Sequence, residues 1–182
     1  DGMLFAIEHY NSEQPLIDSI ATGIPVDNNE GLCYDANENR LLIACKNKSR
    51  ASKDHKNTRS VYAFDLKTKT CSPEPVFNFD LNELKRFALE KQVDFPMKEK
   101  KQGNAPEVKE PVIKFRPSEI AIHPVTNQIY LLSAMDYALF VFSPDGKLED
   151  IRLLDKELFN KAEGITFLDN GDMLISNEGQ QK

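Results

Sequence analysis

The chain has 182 residues, 40% hydrophobic and 29% charged, which gives enough apolar material for a packed core and argues against disorder throughout. Its formal net charge of −6 argues against non-specific nucleic-acid binding, which needs cations to neutralise phosphates. No apolar run approaches the roughly 18–20 residues of a transmembrane helix, and the three cysteines, Cys33, Cys45 and Cys71, form no CxxC pair, so neither a disulfide framework nor a zinc site is expected.

Residues 4–8 and 16–20 read as two strands placed like the last pair of a four-stranded unit. The chain opens Asp1-Gly2-Met3-Leu4 in mid-strand, so any targeting segment is expected ahead of it. A hairpin follows: Glu30-Gly31-Leu32-Cys33-Tyr34-Asp35, a polar turn at 36–39, then 40–44. Cys33 alternates with apolar neighbours and reads as a small buried hydrophobe. Residues 46–59 are basic and poor in apolar side chains, an inserted loop that contains His55. A second strand pair comes at 60–66 and 74–79, with a turn at 67–69.

Residues 80–114 form a second insertion, a helix plus loop. Asp80 is placed as an N-cap with Glu83 three residues on, and Leu84, Phe87 and Ala88 fall at helical spacing. The helix is expected to end near Gln92. Residues 97–111 are charged and contain proline, the mark of a mobile loop, and the 98–101 run is a solvated stretch. The hairpin pattern then returns at 119–133, with the turn at 124–127 and His123 at a strand end. Strands at 138–142 and 148–153 follow. The pattern appears a third time at 163–176.

Each hairpin opens on a glutamate: Glu30, Glu119 and Glu163. The interval from Glu119 to Glu163 matches repeats of about 40–50 residues, the period of propeller blades. The interval from Glu30 to Glu119 is about twice that, and the two insertions account for the excess. Four antiparallel strands joined by tight turns make one blade. The expected fold is therefore all-β, with residues 1–182 forming part of a single β-propeller domain of about three blade-equivalents. Closed propellers need roughly 4–8 blades, so further blades are expected before Asp1.

Four motifs resemble the SdiA-regulated family: Asn29-Glu30-Gly31-Leu32, Pro117-Ser118-Glu119-Ile120-Ala121-Ile122-His123-Pro124, Ala162-Glu163-Gly164-Ile165 and Ser176-Asn177-Glu178-Gly179. These are bacterial propellers distantly related to NHL repeats. The resemblance spans nearly the whole chain, most specifically residues 115–178, and is poor across the insertions. It implies a five-bladed propeller with about two blades absent here. It also implies an envelope or exported location, periplasmic or as a surface lipoprotein, with membrane anchoring through a segment ahead of this chain. Calcium at a shared site is a further implication.

The residues support a cation independently. A residue at one repeat position in each innermost strand points at one place on the propeller axis, so Glu30, Glu119 and Glu163 would converge. Crowded carboxylates repel and raise one another's pKa; a cation relieves this, and calcium accepts 6–8 oxygen ligands in loose geometry. The alternative is that the glutamates cap turns or bond backbone amides at the channel mouth. Glu178 joins the set through its family-like motif, although it follows a second strand. Asn29 and Asn177 would supply amide oxygens or turn contacts. Missing ligands are expected in the blades before Asp1. The functional expectation is a non-catalytic binding or scaffolding propeller with a calcium site, presenting a face to an unidentified ligand or protein. The alternative is a metal-dependent hydrolase of the lactonase or phytase type, although a uniformly Glu position suits cation holding better.

Overall fold

A computed structural model of the chain describes residues 2–48, 57–100 and 108–178. The fold is mostly β, in several small antiparallel sheets. β1 (Met3–Glu8) and β2 (Leu16–Ala21) form a hairpin with Met3 opposite Ala21 and Glu8 opposite Leu16. β3 (Asn29–Asp35), β4 (Arg40–Cys45) and β5 (Thr58–Asp65) form a meander. Along the far edge of β5 run β6 (Thr70–Cys71) and β7 (Phe77–Asp80). The sequence predicts one strand at 74–79 in their place. Pro73 and Pro75 lack the amide a ladder requires and fall between the two paired segments.

The helix α1 (Leu81–Glu90) follows directly, capped by the Asp80 carboxylate, which accepts from the Asn82 amide at 2.8 Å. Glu83 does not complete a capping box and lies 3.8 Å from Arg86. Leu84 and Ala88 are buried and Phe87 packs beside them. Lys91 closes the helix and Gln92 turns to positive φ, within two residues of the expected end. The predicted mobile loop is partly ordered: β8 (Met97–Lys100) pairs with β9 (Val108–Pro111), Met97 opposite Pro111. Residues 101–107, His55 and most of the predicted 46–59 insertion lie outside the described residues.

The second complete repeat is the meander β10 (Glu119–Ile122), β11 (Ile129–Ser133), β12 (Ala138–Phe142) and β13 (Leu148–Leu153). A short 3-10 turn at Ala134–Asp136 links β11 to β12. The last hairpin is β14 (Ala162–Phe167) with β15 (Met173–Asn177).

All five residues of β12 are buried, and period 2 explains why. Ala138, Phe140 and Phe142 face one core with Leu42, Val61, Phe79, Leu84 and Phe115. Leu139 faces the other way, into a second core with Ala121, Leu132, Ala162 and Ile165. The β10–β13 sheet is thus sandwiched between the β3–β7 sheet and the β14–β15 hairpin, and its central strands β11 and β12 read as nearly continuous apolar runs. Aromatic rings fill the first core, with Phe79 and Phe142 centroids 4.1 Å apart and Phe115 edge-on to Phe140 at 4.7 Å. A third cluster, Val26, Cys45 and Tyr62, covers the opposite face of the first sheet; Cys33 packs against the first core, as its alternation predicts. By contrast, Met3, Phe5, Ile7, Leu16 and Ile17 are exposed on the first hairpin.

Candidate functional site

The opening strands of the three repeats lie side by side, with β10 between β3 and β14. Two bonds tie them. The Leu32 amide donates to Glu119 Oε1 at 2.9 Å, and Ser118 Oγ donates to the Ala162 carbonyl at 3.3 Å. The approach of β3 to β10 requires a glycine: a Cβ on Gly31 would stand 2.9 Å from the Ile120 nitrogen and 3.0 Å from the Glu119 carbonyl carbon.

The first and third hairpins share a device at their open ends. Asn28 and Lys161 both adopt positive φ, at 63° and 52°. The strand register skips at the next glutamate, between Asn29 and Gly31 and between Ala162 and Gly164. Glu30 and Glu163 therefore sit on β-bulges, which re-aim a side chain out of the ladder. The Lys46 amide closes the first hairpin on the Asn28 carbonyl at 2.9 Å, and the Glu178 amide closes the third on the Lys161 carbonyl at 3.0 Å. Glu119 has no bulge and pairs in register with Leu132.

The four glutamates are accordingly divided. Glu119 takes the second of the two roles its sequence position allows: it accepts from the Leu32 and Ile120 amides, both at 2.9 Å. Burial raises its carboxyl above the usual glutamate range, and the two amides oppose that shift. Both oxygens of Glu30 are taken by Lys46 Nζ, at 2.7 and 2.9 Å. Glu178 Oε2 lies 3.2 Å from Lys161 Nζ. Glu163 is left over, and its carboxylate makes no hydrogen bond among the described residues. Burial raises its pKa first, Lys46 opposes, Glu30 and Glu178 raise it further, and Lys161 opposes again. Three carboxylates thus share two lysines.

Glu163, Glu178, Lys46 and Lys161 line a cleft of about 420 Å³ together with Arg116, Ser118, Ala134, Met135 and Tyr137. Asp136 fixes the segment that carries Arg116, accepting from the Lys114 amide at 2.8 Å, the Phe115 amide at 2.7 Å and Ser133 Oγ at 2.7 Å. The Arg116 amide donates to Ser133 Oγ at 3.1 Å, while its guanidinium has no hydrogen bond or ion pair among the described residues. The buried Arg59 lies near it; burial and the Arg116 charge lower the Arg59 pKa, and Asp136 opposes. Tyr137 is held at φ 50°, an uncommon conformation for a bulky residue.

Asn29 and Asn177 donate from Nδ2 to the Val26 and Leu158 carbonyls, at 3.2 and 2.9 Å, and Asn29 Oδ1 is buried with no hydrogen-bond partner among the described residues. His123 serves its turn, its Nδ1 accepting from the Val125 and Thr126 amides, each at 3.2 Å. Among the described residues no group of three or more His, Cys, Asp or Glu side chains is disposed to hold a metal ion. No described helix is long and apolar enough to cross a membrane. Comparison with family models, curated proteins and solved structures returns no match.

Sequence reasoning missed Lys46, Arg116 and Lys161. A signal existed for two of them. Antiparallel pairing sets the residue after each second strand against the residues that open the first, so Lys46 faces Glu30 as Glu178 faces Lys161. The repeat keeps a charged residue at that closing position, although the partner differs: Lys46 reaches the bulged Glu30, whereas Glu178 reaches Lys161, the equivalent of Asn28.

Proposed function

We propose that this chain is part of a β-propeller acting as a non-catalytic binding module, and that a cationic group is received at Glu163 in the cleft where the opening strands meet. The observation that carries the reading is the Glu163 carboxylate, partly buried and without a hydrogen bond among the described residues, beside the Lys46–Glu30 pair of the first repeat and the Lys161–Glu178 pair of its own. A partly buried carboxylate that no lysine hydrogen-bonds gains from a ligand cation that closes over it and excludes water. The side-by-side opening strands and the motif resemblance to SdiA-regulated propellers support the architecture. Two kinds of group that a nucleophilic hydrolase could recruit are unsuited to it. His123 is spent on its turn, and burial pushes the Cys33 and Cys45 thiols up to about 12.

Calcium, which the resemblance implies, fits these residues only in part. It takes 6–8 oxygens, whereas Lys46 and Lys161 stand on Glu30 and Glu178, and Glu119 is committed to amides. A calcium ion would have to displace both lysines; the leftover charge on Glu163 is what favours it. The test is a set of melting curves at matched ionic strength in EDTA, in calcium chloride and in n-butylammonium chloride, for wild type and Glu163→Gln. A native-state binder raises the midpoint with concentration. A rise in wild type that is absent in the variant is expected. Identical curves under every condition and in both proteins would refute the reading.

A further inference from the structure

The cleft holds two unmatched charges of opposite sign. Glu163 on β14 and Arg116 ahead of β10 both line it, and neither side chain has a hydrogen bond or ion pair among the described residues. They do not pair with each other, although an Arg–carboxylate pair is among the strongest polar contacts available. Met135 and Tyr137 line the same cleft. At about 420 Å³ it lies within the range of small-molecule sites. Of the other charged residues lining the cleft, Lys46 is paired with Glu30 and Lys161 with Glu178.

Charge arithmetic narrows the ligand. A polyanion would gain Arg116 but meet Glu163 and Glu178. A polycation would gain Glu163 but meet Arg116, Lys46 and Lys161. Arg116 is exposed and Glu163 partly buried, so water solvates both in the open cleft, and a neutral ligand that excluded this water would leave both without a counter-charge. Only a molecule with one positive and one negative group answers both.

We propose that this cleft binds a small zwitterion, a free α-amino acid, with its ammonium group on Glu163, its carboxylate on Arg116, and its side chain against Met135 and Tyr137. A carboxylate matches the planar fork of a guanidinium, and an ammonium group needs a single carboxylate, unlike the 6–8 oxygens that calcium takes. Asp136 acts as the positioning residue, since its three accepted bonds fix the segment bearing Arg116.

The inference rests on the reading of this cleft as the binding face, and the experiment separates the two. The probes are the L-amino acids one at a time, with n-butylammonium and propionate as single-charge controls. Thermal shift serves as the screen and calorimetry gives the affinity. At least one amino acid with an apolar side chain is expected to raise the melting midpoint saturably, and each single-charge control to bind roughly tenfold or more weaker. Arg116→Gln and Glu163→Gln, which change charge at the rim of the cleft, are each expected to lose about tenfold or more in affinity while retaining the wild-type circular dichroism. If calcium or butylammonium raises the wild-type midpoint and no amino acid does, the cation reading stands and the zwitterion is overturned. Amino-acid binding of equal strength in wild type and both variants also overturns it.

Discussion

Replacing Gly31 by alanine tests the stacking of the repeats at its tightest point. Gly31 lies outside the left-handed region, so its backbone suits an ordinary residue. On chain entropy alone the change should stabilise the fold by about 0.4–1 kcal/mol, because the unfolded chain loses freedom. The structure predicts the opposite sign. The new methyl would stand 2.9 Å from the Ile120 nitrogen, 3.0 Å from the Glu119 carbonyl carbon and 3.0 Å from Ala44 Cβ. Two of these are backbone atoms of β10, which cannot rotate aside, so the sheets must part by a few tenths of an ångström and stretch the Leu32–Glu119 bond. Overpacking of this kind costs about 1–3 kcal/mol. Set against the entropic gain, a net loss between about 0 and 2.6 kcal/mol remains, centred within about 1–2 kcal/mol. For a chain of this length that lowers the melting midpoint by about 2–8 °C. Gly164→Ala is the internal control. It occupies the same repeat position, but its methyl would meet only the Ser176 hydroxyl, which can swing away. Thermal melts and urea titrations of both variants decide the matter. A Gly31→Ala protein that melts at or above wild type would refute the close approach of β3 to β10.

Two further outcomes concern Glu119. Glu119→Ala strips the Leu32 amide of its acceptor, so exchange at Leu32 is expected to accelerate while amides in β12 are unchanged, with a stability loss of about 1–3 kcal/mol for the orphaned group. Exchange at Leu32 as slow as in wild type would show that the bond is not formed. Glu119→Gln keeps an acceptor and removes the titration. The folded-state pKa of Glu119 is raised by burial, so protonation favours the fold. The wild type then holds its full contribution below the usual glutamate pKa and loses it as pH rises through the raised value. The stability of Glu119→Gln relative to wild type should therefore climb across that window and level off above it. A gap that stays constant across the window in denaturant titrations would contradict the burial assigned to this carboxylate.

Most strands and the helix were legible in the sequence because their signals are local. The turns at 36–39 and 124–127, the glutamate-opened hairpins and the Asp80 cap each occupy a few consecutive residues. Two misses have one cause, dependence on a partner elsewhere in the chain. β6 and β7 replace a single edge strand because two prolines fall where β5 requires amides. β8 and β9 pair although their composition is that of a loop, and no periodicity in a charged four-residue strand announces its mate. The arrangement of the candidate site was legible only in part. Repetition placed Glu30, Glu119 and Glu163 in equivalent positions, and equivalent positions were expected to point alike. A one-residue slip in register decides otherwise: two of the three lie on bulges and the third lies flat in its ladder. Lys46 was assigned to an insertion by the basic run that follows it, although it is the last residue of the hairpin's own closure.

The sandwiching of the β10–β13 sheet has a consequence for how the molecule comes apart. Each sheet touches only its neighbours, so stability is a chain of nearest-neighbour terms, in the manner of repeat proteins. The β10–β13 sheet draws on two such terms and the β14–β15 hairpin on one. Loss of the hairpin would wet Leu139 and Leu132 and leave the core around Phe140 dry. Unfolding of this stack is expected to proceed as a front moving inward, with β12 the last strand to surrender its amides to solvent.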